Sequence, residues 1–460
     1  MNGVDTDLTD TAHRLGRVRF SIADELTCYY DRPAEAANVH MEVRVPGRLD
    51  EAVVRAAVRA VLDAEPGLRA RQSATSRWRS GFYWEYQAAP DLDPVLTASF
   101  ADESELDRLR AAMVSQSPPL RVSPPLRFLI ASGPGGDALV LNVHHARIDG
   151  LSCLRLLRMV ADEYNSLLSS PSGRDAGWTD ERSEEGRRHR EAPRHAGGTG
   201  GRPPGLAQPP RVGISPVAKI AREPEQGPSA ARHGYGVRLL ACDGLADVGW
   251  LRSAGISVND LLIVALMITI GDWNAERGRR PGLVKITMPV GDRAQAGSGG
   301  LWANRSRLTS VSARVVPGAS ALDLLSGVAA QTAYAKEHAG PQVDFFCRTL
   351  AAAPIPVVAK YRVLRTALRL GGSFLCDTCL VSNLGVVEPV RFGAATASQV
   401  WFSTFAHMPR GLSLGVLTTG GVLHLTFRYR RALLSDQAAE DFAGRYAEAL
   451  GRVASREAAS

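Results

Sequence analysis

The run Ala138-Leu139-Val140-Leu141-Asn142-Val143-His144-His145-Ala146-Arg147-Ile148-Asp149-Gly150 changes its periodicity within itself, and this constrains the chain more than any other stretch. It opens as an apolar segment suited to a buried strand and closes in a tight turn at Gly150, a residue free to take positive φ. From Leu151 onward Cys153, Leu154, Leu157, Val160, Tyr164 and Leu168 recur at helical spacing, while Arg155, Arg158 and Asp162 fall elsewhere on the wheel. The two histidines therefore stand at a strand-to-turn-to-helix junction. Successive strand side chains point to opposite faces, so if the strand persists to His145 the two rings diverge and only one faces a given cavity. An imidazole can take a proton from an amine, alcohol or thiol near neutral pH, and Asp149 is at hand to fix its surroundings.

His144-His145-x-x-x-Asp149-Gly150 resembles the HHxxxDG motif of the chloramphenicol acetyltransferase-like superfamily. That superfamily includes condensation domains of nonribosomal peptide synthesis, polyketide-associated acyltransferases and wax ester synthases. The resemblance implies that His145 faces a tunnel where an acyl thioester meets an acceptor, and that Asp149 braces the loop through an arginine. Taken without the motif, two adjacent histidines would satisfy a core or hold a metal, but this stretch offers no further ligands at workable spacing, so no metal is expected.

At 460 residues the chain exceeds one ordinary core and suggests two domains of about 200 residues each plus a connector. The expected division is 16–169 for an N-terminal half with the motif, 170–234 for a crossover, and 235–455 for a C-terminal half. Between Ser170 and Gly234 the composition turns to Arg, Gly, Pro, Glu and Ser, which reads as a disordered or loosely attached segment. That segment holds 11 Lys/Arg against 8 Asp/Glu, so it carries +3 of the formal charge of +7. The remainder is spread thinly, and no nucleic-acid footprint is expected. Six cysteines without regular spacing fit a reducing compartment, and the polar, acidic start Met1-Asn2-Gly3-Val4-Asp5-Thr6-Asp7 is unlike a signal peptide, so the expected location is cytoplasmic. Leu261 to Ile270, the longest apolar run, is half of what a bilayer span needs and reads as a buried helix.

Further segments extend the resemblance over both halves. Asn38 to Val45 alternates as a strand, and Asp50 caps a helix bearing Val53, Val54, Ala57, Val58, Val61 and Leu62, as at the opening of condensation-type domains. Phe82 to Tyr86 and Phe128 to Ile130 read as strands, and Leu106 to Met113 as a short helix. Ser257-Val258-Asn259-Asp260-Leu261-Leu262 is similar to the helix that opens the second half of polyketide-associated acyltransferases and wax ester synthases. Val284 to Arg293 looks like the family's strand ending in arginine, which makes Arg293 the candidate partner of Asp149. Ala303-Asn304-Arg305 sits where relatives carry Gly-Asn, and Leu380-Val381-Ser382-Asn383-Leu384-Gly385 matches their SNLG strand. By this resemblance Asn304, Ser382 and Asn383 are candidates for orienting substrate. Gln331 to Leu370 is expected to be a helix pair covering a sheet rather than a membrane-facing surface.

Two patterns point away from other chemistries. Gly411-Leu412-Ser413-Leu414-Gly415 fits GxSxG, but a nucleophile elbow must lead into a helix and this sequence leads into a hairpin. Cys376-Asp377-Thr378-Cys379 lacks a second metal half and reads as two buried thiols. Ser435 to Leu450 closes the chain as an amphipathic helix. The plant-type DFGWG motif is absent.

The expected fold is thus α/β: two chloramphenicol acetyltransferase-like sandwich halves forming a pseudo-dimer, with a tunnel between them and His145 at its middle. The resemblance implies transfer of an acyl group to a small-molecule amine or hydroxyl acceptor, as in specialised-metabolite biosynthesis. The donor would be coenzyme A or the phosphopantetheine arm of an acyl carrier protein, with no bound cofactor. A lipid-forming wax-ester type of O-acyltransferase and a catalytically silent docking module are the alternatives.

Overall fold

The computed structural model describes residues 16–74, 78–169, 216–223, 233–243, 250–251, 254–290, 302, 304, 307–337 and 345–455. Most of the expected crossover, and Arg293, lie outside these residues.

The motif strand, Gly136–His144, is buried along its whole length and sits in the middle of a five-stranded sheet. Across that sheet the order is Gln399–Thr404, Asn38–Val45, the motif strand, Leu126–Gly133 and Val95–Ser99, antiparallel except for the last pair. Alternation assigns its two faces. Val39, Met41, Val43, Leu139, Leu141 and Val143 pack with the helices Glu51–Ala64 and Gly150–Ser169 in one cluster. Leu129, Ala131, Ala138 and Val140 point the other way, onto Leu106 of the helix Glu103–Ser115. Asp50 caps Glu51–Ala64 through the amides of Ala52 and Val53, and the helix turns Val54, Ala57, Val58, Val61 and Leu62 inward.

A six-stranded sheet holds the second core, in the order Arg307–Arg314, Leu283–Val290, Cys379–Val386, Leu412–Thr419, Val422–Arg430 and Tyr235–Asp243. Cys379–Val386 runs parallel to both neighbours, and the other pairs are antiparallel. The helices Val258–Glu276 and Asp436–Ala454 cover it. Val258–Glu276 is long and apolar enough to cross a membrane, yet it opens with a Ser257–Asp260 capping box and buries Leu261 to Met267 in this core.

The connector is not loose throughout. Within residues 216–223 Ile220 and Ala221 are buried in the second core, the Ala221 amide donates to Asn274 Oδ1 at 2.7 Å, and Trp273 Nε1 donates to the Ala221 carbonyl at 3.0 Å. The unstructured reading of 170–234 is therefore corrected for these residues: two apolar side chains and an indole partner suffice to fasten a short piece inside a polar stretch.

The two sheets lock together through the strand Gln399–Thr404, which comes from the C-terminal part of the chain and pairs with Asn38–Val45 in the first sheet. It comes close to the second sheet at Gly415, where a Cβ would lie 1.9 Å from the Phe402 carbonyl oxygen. Only glycine fits that contact. Ser413 Oγ donates to the Thr404 carbonyl at 2.7 Å, and the buried Arg428 of the second sheet donates to the carbonyls of Asn38 at 3.1 Å and Val114 at 2.6 Å. One strand and one guanidinium thus carry the second half into the first.

Candidate active site

The motif strand stops at His144, which pairs with Asn38, and His145 is the first residue of the turn. His144 is fully buried: the Ala146 amide donates to its Nδ1 at 3.1 Å, leaving Nε2 toward Asp31 Oδ2 at 3.4 Å. Asp31 is itself held by the Ala37 amide at 2.9 Å and Ser117 Oγ at 2.5 Å. His145 turns elsewhere. Its amide is tied to the Ala37 carbonyl at 2.9 Å, while its ring, partly exposed, meets the edge of Phe405 with centroids 5.3 Å apart. The strand ends at His144, so the condition for alternation at His145 is not met; the rings differ in surroundings because His145 opens the turn.

Between the histidines and Asp149, Arg147 shapes the turn. The Arg147 amide donates to the His144 carbonyl at 2.9 Å. The Arg147 guanidinium is buried, donates twice to the Gly67 carbonyl at 2.9 and 2.6 Å, and lies over the ring of Trp84 at 4.9 Å. Sequence reasoning passed over Arg147, and its only signal was a cation in an apolar turn.

Asp149 caps the motif helix: its Oδ1 accepts from the Ser152 amide at 2.9 Å, and its carbonyl accepts from the Cys153 amide at 2.8 Å. Its expected partner Arg293 lies outside the described residues. Gly150 does not turn with positive φ; it is the first residue of the helix Gly150–Ser169. What requires glycine there is space, since a Cβ would fall 2.7 Å from the Phe402 ring and 3.1 Å from Leu384.

Burial is the main influence on the His145 imidazole and pulls its pKa below the ordinary value, against the opposing charge of Asp149. The result near neutral pH is a preference for the uncharged imidazole.

Asn304, from the C-terminal half of the chain, lies at this ring, its Nδ2 3.3 Å from His145 Nδ1 and 3.3 Å from the His145 carbonyl. Two residues earlier Trp302 anchors the strap: it is buried in the first core and donates from Nε1 to Glu65 Oε2 at 2.9 Å under the Arg155 guanidinium. Ser382 and Asn383 are not brought to His145 by any contact among the described residues. Ser382 is buried in the second sheet, and Asn383 Oδ1 accepts from the Gly385 amide at 2.7 Å, bracing an irregularity in its strand.

Ser413 is buried within a strand of a hairpin, not at an elbow. The thiols of Cys376 and Cys379 are both pushed up by burial, Cys379 to about 12. Neither is a ready nucleophile. Among the described residues no three His, Cys, Asp or Glu side chains gather as metal ligands.

No protein-family model matches the chain. An uncharacterized protein of Mycobacterium tuberculosis is 29% identical over 429 residues, covering 90% of this chain and 94% of that one. A point mutant of the starter condensation domain of rhizomide synthetase, solved in complex with C8-CoA, superposes with a TM-score of 0.60 at 14% identity, over 97% of this chain and 96% of that one. Wax ester synthase/diacylglycerol acyltransferase from Marinobacter aquaeolei VT8 superposes with a TM-score of 0.58 at 14% identity, over 95% of this chain and 100% of that one. The chain therefore has the α/β fold of these structures, which include a condensation domain and a wax ester synthase/diacylglycerol acyltransferase.

Proposed function

We propose that this protein transfers an acyl group from a thioester to an amine or hydroxyl acceptor, the thioester being carried by coenzyme A or by a phosphopantetheine arm. The observation that carries this reading is the place of His145: partly exposed, its amide tied to the Ala37 carbonyl and its ring beside Asn304, at the head of a capped helix. A neutral imidazole carries one ring nitrogen with a lone pair, and that nitrogen would take the acceptor's proton. The acceptor's nitrogen or oxygen then bonds to the thioester carbon, the tetrahedral oxyanion collapses, the carbon–sulfur bond breaks, and the imidazolium returns the proton to the departing thiolate.

The likeness in fold to a condensation domain solved with C8-CoA and to a wax ester synthase supports the same class of reaction. A silent docking module would have no need of a base; the histidine in this turn, with burial disfavouring its charged form, supports the enzyme reading. A mass-spectrometric screen of acyl-coenzyme A and acyl-carrier donors against amine and alcohol acceptors tests the proposal. Wild type should yield acylated acceptor and free thiol in equal amounts, and His145→Ala should not. Product formed at the same rate by both, or by neither with any donor, would overturn it.

A further inference from the structure

We propose that Lys219, Lys285 and Arg410 bind the phosphate of the acyl donor, a phosphate ester of the pantetheine type; this rests on the transfer reaction proposed above. The three cations come from separate elements and converge at the end of the helix Val357–Leu375. Lys219 Nζ donates to the Cys376 carbonyl at the helix C-cap. Lys285 Nζ lies 3.0 Å from Asp377 Oδ1. Arg410 Nη2 donates to Thr287 Oγ1 at 3.2 Å, and Thr287 in turn donates to Asp377 Oδ2 at 2.5 Å. All three cations are partly exposed.

Local structure accounts for part of this charge. Lys219 complements the helix end, worth about half a negative charge, and Lys285 pairs with Asp377. Arg410 is the surplus, for its Nε is buried and meets no acceptor among the described residues. Burial pulls the Lys219 ammonium down from its ordinary pKa, and the neighbouring charges of Arg410 and Lys285 add to that against Asp377. Cys376 supplies no compensating thiolate, because burial pushes its thiol up. A cluster with more than one unmatched positive charge, all three cations partly exposed, suits a phosphate, which takes charge-assisted hydrogen bonds from both kinds of cation.

Its place in the fold fits a donor arm. Arg410 ends the loop that begins at Phe405, whose ring touches His145. Five residues extend at most roughly 18 Å, and the thirteen bonds between sulfur and phosphorus in phosphopantetheine extend roughly 15 Å by the same rise per bond. The two lengths are of the same order, which is the span that a phosphate at Arg410 and a thioester at His145 would require.

Calorimetry with coenzyme A, inorganic pyrophosphate and orthophosphate, on wild type, Arg410→Gln and Lys219→Gln, reads the site without turnover. Coenzyme A should bind wild type and bind each variant about tenfold more weakly, as expected for one lost charge-assisted bond. The ratio of kcat/KM for an acyl-coenzyme A to that for the matching acyl-N-acetylcysteamine, which lacks the phosphate, should fall by a similar factor. Loss of coenzyme A binding in the variants without any acyl transfer by wild type would uphold the site and refute the reaction. Unchanged coenzyme A binding in both folded variants, or pyrophosphate and orthophosphate binding as tightly as coenzyme A, would overturn the site.

Discussion

Asn304 and His145 meet although they lie on different halves of the chain, with the carboxamide nitrogen 3.3 Å from the ring and 3.3 Å from the backbone carbonyl of the same histidine. A group so placed fixes the ring rather than the reactants. Asn304→Ala should lower kcat about tenfold, the scale of one lost hydrogen bond, with little change in KM. Asn304→Asp should place a carboxylate there, favour the imidazolium, and move the acidic limb of the kcat/KM profile to higher pH. A pH profile identical to wild type would show that Asn304 does not touch the working imidazole.

The two histidines should separate activity from stability. His145→Ala should cost at least about a hundredfold in turnover, the scale of general base catalysis, while its partly exposed ring leaves little cavity. His144→Ala should instead lower stability by about 1–3 kcal/mol, because it empties a buried site facing Asp31 and strips the Ala146 amide of its acceptor. Thermal melts beside initial rates check this, and equal losses of activity in two equally stable variants would refute the division of roles.

How much of this was legible in the sequence depends on the range of the interactions. The motif strand, the Asp50 cap and the hairpin around Ser413 rest on periods and caps that act over a few residues, and they stand as read. Gly150 was placed correctly and explained wrongly: its neighbours Phe402 and Leu384 are distant in sequence, so the steric reason was invisible while the turn-forming habit of glycine was not. Asp31, Glu65 and Arg147 take part through contacts that no local pattern announces. Asn304 was found only because the resemblance marked its position.

Acid should weaken the fold in two stages. His40, His145 and His407 are all pulled below their ordinary pKa by burial, so the unfolded chain takes up protons at higher pH than the folded one. Their contribution is fully present above about pH 6.5 and is lost progressively as pH falls below that value. Glu42 forms the second stage. Burial would raise it, but the paired Arg110 guanidinium at 2.7 Å outweighs that and holds it well below the usual carboxylate range. Its contribution is present above about pH 4.5 and is lost as pH falls through and below that value. A Tm that stays level from pH 7 to pH 5 would contradict the first stage.

The connector offers a test of where packing begins. Replacing residues 175–212 by a flexible linker should leave folding and activity intact, since the polar composition there gives little surface to bury. Extending the replacement through Ser229 should lower stability by about 2–5 kcal/mol, because it removes the buried Ile220 and the Ala221 partner of Trp273. Equal melting of the two deletions would place the boundary elsewhere.

The order of chemistry follows from which nucleophiles the fold withholds. Ser413 is buried with its hydroxyl committed to the Thr404 carbonyl, and burial keeps the Cys376 and Cys379 thiols protonated at neutral pH. No acyl-enzyme should then form, and the acyl group should pass directly from thioester to acceptor while both are bound. Incubation with donor alone should leave the intact mass unchanged, and initial rates against both substrates should give intersecting double-reciprocal lines, because a ternary complex precedes transfer. A mass increase equal to the acyl group, mapped to Ser413, Cys376 or Cys379 and discharged by acceptor, would replace direct transfer with a covalent route and leave His145 to activate the enzyme's own nucleophile.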